Sequence, residues 1–447
     1  MRATAMGYRL VRGFIRLLLR LFYRRVDVVG AERIPPGGPL IIVANHHNSL
    51  VDPMLIIGTF ARRITVLANA PLFRHPLIGP FLHAVGALPV NRRKEAGDDP
   101  AKNEAMFAAA IAHLRAGGAI LIFPEGRTQP VPTLLPLRTG AARLLLGAEA
   151  DGRGHGVALL PVGLVFETPG TFREASALVA IGPAVAVDDC VASYGREPEA
   201  TVRRLTERLA CAIRTQIIEA EDQHTLDLVA ALERAWREDR GGARADAAAS
   251  LAWRREVMRA ARVLVAHVPE RVAQFRQRLE RYRARLDESG LSDRELGQPY
   301  TAAIIARWIV VNATKLVITL PLALWGIAAH ALPYWLTRAA VLAMRRTEEE
   351  EATDKMAAGL VLYPLCWAAE AWVIEHWLGV AALVVFLVFL VPSALTALAW
   401  RERLARVVRQ ARAFGRFLVD RRLHEDLIAE RRALLDEATA LATLART

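Results

Sequence analysis

Two histidines and an aspartate, at the point where an apolar run gives way to a polar turn, are the best candidates for chemistry in this chain. His46 and His47 follow the run 39–44, and Asp52 stands five positions after His47. A neutral imidazole can take a proton from a hydroxyl near pH 7, and a carboxylate on its other ring nitrogen fixes the tautomer and stabilises the imidazolium. We therefore expect His47 to be a general base and Asp52 its orienting carboxylate.

The elements around this pair must bring the two side chains together across a turn. The run 39–44 (PLIIVA) is short, apolar and β-branched, which is typical of a buried strand, and 50–60 has helical spacing. Five positions are roughly 140° apart around a helix, so His47 and Asp52 cannot share a helical face. We expect them at the carboxyl end of a strand, where open α/β sheets bind ligands. A plain helix start over Ser49–Asp52 is the structural alternative.

Three later segments also predict strands. They are 86–92 (GALPVNR), 120–128 (ILIFPEGRT) and 157–166 (VALLPVGLVF). Pro161 lies inside the last segment and cannot donate a ladder hydrogen bond, so this strand is expected at an edge of the sheet or at a bulge.

Arginines near two of these strand ends are candidate phosphate ligands, because the planar guanidinium makes paired hydrogen bonds to phosphate oxygens. Arg92 and Arg127 hold these positions. Gly126 would let backbone amides approach a ligand closely, and Glu125 would hold an arginine or a substrate hydroxyl. Arg138, at the start of a predicted helix, is either a further candidate or a solvated first-turn charge.

The order of these motifs resembles the glycerolipid acyltransferase family, which acylates glycerol 3-phosphate or lysophosphatidic acid. The resemblance covers roughly residues 30–220 and rests on HxxxxD, GxxxxxR, FPEG and a strand with a central proline. It implies an α/β acyltransferase domain, a mixed sheet flanked by helices. It also implies that His47 and Asp52 are catalytic and that the substrate-binding residues are Gly86, Arg92, Glu125, Gly126 and Arg127.

The doubled histidine leaves one ambiguity. The family's base usually follows an asparagine directly, and here His46 has that position, whereas His47 has the family's distance to Asp52. We let the distance decide in favour of His47.

The composition indicates that part of the chain meets lipid. Of 447 residues, 53% are apolar, and the net charge is +12. Because a nucleic-acid recognition motif and interleaved aromatic residues are absent from the sequence, membrane lipids with anionic headgroups are the expected partner rather than nucleic acid. The three cysteines lack metal-binding spacing, so no metal or other cofactor is expected. The resemblance implies acyl-CoA or an acyl carrier protein as co-substrate.

The sequence predicts five regions. The first 25 residues contain seven arginines and no acidic residue, with leucines on the other face, which is typical of a helix lying in the membrane interface. The predicted regions are an interfacial amphipathic helix (1–29), an acyltransferase domain (30–220), a charged helical region (221–300), membrane-embedded helices (301–400) and an amphipathic helical tail (401–447).

Two apolar stretches, 356–374 and 378–400, are long enough to cross a bilayer as a tight hairpin. Basic residues outside both ends place those ends, and with them the catalytic domain, in the cytoplasm. The stretch 301–336 must then begin and end on that side, so we expect a bent or re-entrant pair of half-helices rather than a straight span, with Pro321 and Gly326 near the middle.

Two functions from different classes fit these observations. The first is a membrane-bound acyltransferase acting on a glycerophosphate acceptor in phospholipid synthesis. The alternative is a catalytically silent lipid-binding or structural membrane protein that keeps the fold. The sequence leaves the acceptor open among glycerol 3-phosphate, dihydroxyacetone phosphate and lysophosphatidate.

Overall fold

The computed structural model divides the chain into two compact units. The first consists of residues 1–227, 246–255 and 347–353, and the second of 228–245, 256–346 and 354–447. The structure describes residues 2–74, 78–90, 100–129, 131–167, 172–173, 175–242, 246–296, 302–344, 348–419 and 421–446. Arg92 lies outside the described residues. The five predicted region boundaries stay predictions.

A mixed sheet forms the core of the first unit. Its strands are β1 (Arg25–Val29), β2 (Leu40–Ala44), β3 (Thr65–Asn69), β4 (Leu88–Val90), β5 (Ala119–Ile122), β6 (Ala158–Glu167) and β7 (Ser176–Ile181). The seven strands lie in the order β1-β7-β6-β2-β5-β3-β4, and β6–β7 is the antiparallel pair. All five residues of β2 are buried, and β5 and β6 flank it on its two sides. The predicted mixed sheet flanked by helices is confirmed.

Helices of the first unit pack on this sheet and connect its parallel strands. They are α1 (Arg2–Phe22), α2 (Val51–Thr59), α3 (Ile78–Val85), α4 (Pro100–Arg115), α5 (Gly140–Glu149), α6 (Asp188–Tyr194) and α7 (Pro198–Arg214). The helix α2 directly follows the turn after β2. The predicted strand–turn–helix around the histidines is therefore present.

The position predicted for the proline-containing strand is wrong. β6 lies inside the sheet, between β2 and β7, rather than at an edge. The carbonyl of Pro161 accepts a hydrogen bond from the amide of Gly182 at 2.9 Å, so the proline nitrogen faces the same side. The ladder with β7 ends there, at the pair Val162–Ile181, so the missing N–H weakens only this last rung.

The first helix, α1, has two apolar faces. The inner face packs on the first unit and is buried, and it consists of Tyr8, Ile15, Leu19 and Phe22. The outer face stays exposed, with Leu10 at 70% and Leu17 at 52% exposure. The helix is confirmed, and the leucine face that the sequence assigned to lipid is largely the outer one.

The second unit is helical. Helix α8 (Gln223–Asp239) leads into it, and its further helices are α9 (Ala247–His267), α10 (Pro269–Ser289), α11 (Asp293–Leu296), α12 (Ala302–Met344), α13 (Glu348–Val419) and α14 (Arg421–Leu444). Arg278 and Arg285 of α10 form ion pairs with Glu437 and Glu430 of α14. Two of these helices, α12 and α13, contain stretches long and apolar enough to cross a membrane.

The expected re-entrant half-helices are wrong, because α12 is one continuous helix through Pro321 and Pro333. A proline removes one helical hydrogen bond and loosens the turn before it, but neighbouring segments can compensate. The indole Nε1 of Trp400 donates to the carbonyl of Leu316, five residues before Pro321, at 3.0 Å, which joins α12 to α13 near this point. The 43 residues of α12 extend about 65 Å, more than the thickness of a bilayer core.

The expected hairpin has its break at Gly379, where φ is 80° and ψ is 175° inside α13. Segments on both sides of this break contact α12. His330 lies 5.6 Å from the ring of Trp367, before the break, and Gly326 packs against the backbone of Ser393, after it. The two halves of α13 therefore form separate helical segments against one partner helix.

Candidate active site

The site begins at the carboxyl end of β2, where Asn45 fixes the chain. Its side-chain amide donates to the carbonyl of Leu164 at 2.9 Å, and its side-chain oxygen accepts from the amide of Leu164 at 2.7 Å. These two hydrogen bonds join the end of β2 to the backbone of β6, so the position of the residue that begins the turn is fixed.

The turn after Asn45 closes around the carboxylate of Asp52. Its Oδ2 lies 2.8 Å from Nδ1 of His46 and accepts the backbone amides of His47 at 2.7 Å and Asn48 at 2.8 Å. Ser49 has a φ of 39°, which turns the chain into α2. An ionised Asp52 accepts a proton-bearing Nδ1, so Nε2 of a neutral His46 is left as a proton acceptor.

The pairing expected from the sequence is corrected by this geometry. His47 meets Asp52 through its backbone amide, while its ring Nδ1 lies 3.0 Å from the carbonyl of Gln129. Burial lowers the pKa of His47, which favours its neutral form. The His47–Asp52 spacing indicated the wrong histidine, because the turn between them is not helical. The asparagine directly before His46 was the better signal.

The ring of His46 is held between Asp52 and an aromatic side chain. It stacks on Phe123, with ring centroids 4.2 Å apart and planes inclined by 18°. Phe123 follows β5, so the neighbouring strand supports the base. Nothing in the sequence pattern except the position of Phe123 in the FPEG motif indicated this contact.

Both carboxylate oxygens of Glu125 accept backbone amides, and its expected contact with a substrate hydroxyl stays a prediction. Its Oε1 accepts the amide of His46 at 2.8 Å, and its Oε2 accepts the amide of Leu135 at 3.1 Å. Burial raises the pKa of Glu125 to about 7, although these two hydrogen bonds oppose the shift. Glu125 therefore joins the turn of β2 to the segment that leads into α5.

Tyr23, which the sequence did not single out, lies behind the turn. Its hydroxyl accepts a hydrogen bond from the side-chain amide of Asn48 at 3.3 Å. The ring is fully buried, and burial followed by the nearby Asp52 charge raises the pKa of Tyr23 above its usual range. This residue directly follows α1, so the end of that helix supports the back of the site.

His46 opens into a cavity of about 810 Å³. One part of the wall is apolar and consists mainly of Pro53, Ile57, Val66, Leu72, Phe81 and Leu82. Another part is polar, with Asn69, Arg127, Thr128, Arg138, Thr139 and Arg143. A single cavity thus offers the base, an apolar surface and several cations.

Gly86, a predicted site residue, is not part of the cavity wall. Gly86 lies before the amino end of β4, whereas His46 follows the carboxyl end of β2. The amide of Gly86 donates to the carbonyl of His83 at 3.0 Å and closes the turn after α3. Its φ of 72° explains the glycine. Gly126 and Arg127, in contrast, line the cavity.

Comparison with known proteins agrees with this geometry. Residues 25–165 match the family model described as Acyltransferase. This region belongs to the acyltransferase family. It contains the turn of β2, the FPEG motif and Pro161, so the family match falls on the region where the site is built. The resemblance to glycerolipid acyltransferases that the sequence indicated is confirmed for this region.

Relatives of the acyltransferase region include enzymes with different acceptors. The 1-acyl-sn-glycerol-3-phosphate acyltransferase of Borreliella burgdorferi is 30% identical over 159 residues, covering 36% of this chain and 58% of that protein. Glycerol-3-phosphate O-acyltransferase 2 of Saccharomyces cerevisiae is 31% identical over 136 residues, covering 30% of this chain and 18% of that protein. The match thus spans less than two thirds of either relative.

A solved structure also resembles part of the chain. The crystal structure of the 1-acyl-sn-glycerophosphate acyltransferase of Thermotoga maritima aligns with a TM-score of 0.35 and 22% identity. The alignment covers 47% of this chain and 80% of that one.

Proposed function

We propose that this protein transfers an acyl group from acyl-CoA or an acyl carrier protein to a hydroxyl of a glycerophosphate acceptor, with His46 as the general base and Asp52 as its orienting carboxylate. The observation that carries the proposal is the 2.8 Å contact between Nδ1 of His46 and Oδ2 of Asp52, on the wall of a cavity with apolar and cationic sides. This replaces His47, which the sequence favoured, as the proposed base.

The residues fit direct transfer within a ternary complex. Nε2 of His46 takes the proton of the acceptor hydroxyl while its oxygen attacks the thioester carbonyl, and Asp52 stabilises the imidazolium that forms. The C–O bond forms and the C–S bond breaks as the tetrahedral intermediate collapses. The imidazolium then returns the proton to the departing thiolate, which leaves an ester, a thiol and a neutral histidine.

The cavity wall contains both apolar and cationic side chains, which suit the two ends of such substrates. The apolar wall near Ile57 and Phe81 is suited to an acyl chain, since burying each methylene contributes about 0.8 kcal/mol. The arginine side is suited to a phosphate. Arg127 stays a proposed phosphate ligand, and so does Arg92 by its position in the sequence.

We also propose that the protein is embedded in a membrane through the apolar stretches of α12 and α13. Large apolar side chains cover the surface of these helices, among them Ile318 at 72% and Trp377 at 77% exposure. So large an apolar surface is unfavourable in water and typical of contact with lipid. A catalytic domain on the cytoplasmic side remains part of this proposal.

An acceptor panel tests the function. The purified full chain is offered glycerol 3-phosphate, dihydroxyacetone phosphate and lysophosphatidate, each with a labelled acyl-CoA or acyl carrier protein, and ester formation is measured. We expect one phosphate acceptor to be consumed and His46→Gln to lower the rate by roughly a hundredfold or more, the usual scale for a general base. A folded wild-type protein that acylates none of them would favour the silent lipid-binding alternative.

Sidedness tests the membrane proposal. Because α12 is continuous, protease-accessible tags at Gly290 and Thr347 of the reconstituted chain are expected on opposite sides of the vesicle. Tags on the same side would mean that α12 does not cross.

A further inference from the structure

The carboxylate of Asp52 has one oxygen that the proposed mechanism does not use. Its Oδ2 accepts three hydrogen bonds, whereas its Oδ1 has no donor among the described residues, although the side chain is fully buried. A buried carboxylate oxygen without a donor is unfavourable, and such groups are rare in folded proteins. A donor for Oδ1 is therefore expected among the groups that surround it.

The hydroxyl of Tyr23 lies beside this carboxylate and has a proton to donate. It accepts a hydrogen bond from the side chain of Asn48 at 3.3 Å, and the backbone amide of Asn48 donates to Oδ2 of Asp52 at 2.8 Å. Burial, and next the negative charge of Asp52, raises the pKa of Tyr23, so the hydroxyl keeps its proton at neutral pH. Within the part of the chain that the structure describes, no group accepts that proton. A donor without an acceptor thus lies next to an acceptor without a donor.

The ring of Tyr23 is held in this position by two aromatic neighbours. Its centroid lies 5.2 Å from that of Phe22, the last residue of α1, and 6.3 Å from that of Phe166, in β6. Asn45 also hydrogen-bonds to the backbone of β6. The same strand therefore supports both the tyrosine and the residue that begins the catalytic turn.

Helix α1, which Tyr23 directly follows, is also joined to the far end of α2. The guanidinium of Arg12 donates to the carbonyls of Ile57 at 3.1 Å and Gly58 at 3.3 Å, at the carboxyl end of α2. Asp52 lies in the first turn of α2. Because α1 is fixed along α2 in this way, the hydroxyl and the carboxylate keep a set separation.

We propose that Tyr23 is a positioning residue for the catalytic pair, with its hydroxyl donating to Oδ1 of Asp52 directly or through one bound water. The inference rests on the proposed acyl transfer and adds a third side chain behind His46 and Asp52. A hydrogen bond to Oδ1 favours the ionised carboxylate and fixes its plane, so that Oδ2 stays aligned with Nδ1 of His46. Tyr23 itself touches neither the substrate nor the reacting atoms.

Tyr23→Phe separates this role from simple packing, because phenylalanine fills the same space without the hydroxyl. We expect kcat to fall roughly tenfold, a part of the effect of losing a hydrogen bond to a charged group, while the KM values of the acceptor and the thioester stay within about twofold. Tyr282→Phe is the matched control, because Tyr282 also donates to a buried aspartate, Asp293, at 2.5 Å, but in the second unit. Tyr282→Phe should have wild-type kcat and KM values even if its unfolding temperature is lower.

A double-mutant cycle with Asp52→Asn tests whether the hydroxyl acts through the carboxylate. Once the charge of Asp52 is removed, Tyr23→Phe should change the residual kcat by no more than about twofold, because the two changes remove the same interaction. An undiminished tenfold loss in the Asp52→Asn background would mean that Tyr23 acts by another route and would overturn the proposal. Wild-type kcat in a folded Tyr23→Phe variant would overturn it as well.

A crystal or cryo-EM structure of the full chain, at a resolution that shows ordered water, gives a readout that needs no turnover. We expect Oη of Tyr23 at hydrogen-bond distance from Oδ1 of Asp52, or both atoms on one ordered water. Oδ1 paired with a different group would refute the role of Tyr23 and leave the proposed acyl transfer intact. This measurement decides the contact if Tyr23→Phe does not fold, and a wild type that acylates no acceptor would refute the function without refuting the hydrogen bond.

Discussion

The charge of Asp52 can be removed without removing its hydrogen bonds, which makes Asp52→Asn a sharp test of the proposed mechanism. In the native site Oδ2 accepts from Nδ1 of His46 and from two backbone amides, while Oδ1 is buried with no partner among the described residues. An asparagine with its amide oxygen in the place of Oδ2 can accept all three hydrogen bonds. The turn should therefore persist, with a stability loss of about 1–3 kcal/mol for the buried NH2 group.

The loss of rate follows from the missing charge. The ring nitrogen and the carboxylate oxygen are 2.8 Å apart, which places the centres of the imidazolium and carboxylate charges about 4 Å apart. Two opposite unit charges at this distance attract by about 4 kcal/mol at an effective dielectric constant near 20. Since about 1.4 kcal/mol corresponds to a tenfold change, kcat should fall roughly a thousandfold.

The assay is kcat at saturating acceptor and thioester, together with thermal unfolding of the same preparations. Asp151→Asn is the matched control, because Asp151 also pairs with a histidine, His155, at 3.0 Å, but in a loop outside the cavity wall. We expect Asp151→Asn to have a wild-type rate. A folded Asp52→Asn variant with a kcat within about tenfold of the wild type would refute the role of Asp52 in stabilising the imidazolium.

Three further predictions concern other parts of the site and α1. His47→Gln should keep kcat within about tenfold of the wild type, because its ring bonds to a carbonyl rather than to the carboxylate; a loss as large as that of a general base would return the assignment to His47. Burial raises the pKa of Glu125 from 4.5 to about 7, so the native state keeps the carboxyl group protonated up to a higher pH than the unfolded state does. The free energy of unfolding should therefore fall by about 3 kcal/mol as the pH rises from 4.5 to 7. Glu125→Gln should lack this fall in unfolding experiments at pH 5 and pH 8, and parallel curves would contradict the assignment. In reconstituted vesicles of a Cys211→Ala background, a fluorophore at Leu10→Cys should be quenched by nitroxide lipids more than one at Gly37→Cys, and equal quenching would contradict an interfacial α1.

The sequence determined the fold class and the composition of the site. The short β-branched run before Asn45 indicated a buried strand, and the order of HxxxxD, FPEG and the proline-containing strand indicated the family. Strands β1, β3 and β7 were not predicted. They are short, and their alternation is too weak to distinguish from loops, so pairing with neighbours decides their conformation.

Contacts between distant segments decided what the side chains do. Whether His46 or His47 meets Asp52 depends on a non-helical turn that closes around the carboxylate, and no spacing rule describes such a turn. Glu125 accepts two backbone amides from separate segments, contacts that the FPEG motif alone does not indicate. Local patterns thus determine which elements form. Hydrogen bonds between residues far apart in sequence decide which of two adjacent side chains faces the cavity, because the direction of a side chain in a turn depends on the partners that the rest of the fold provides.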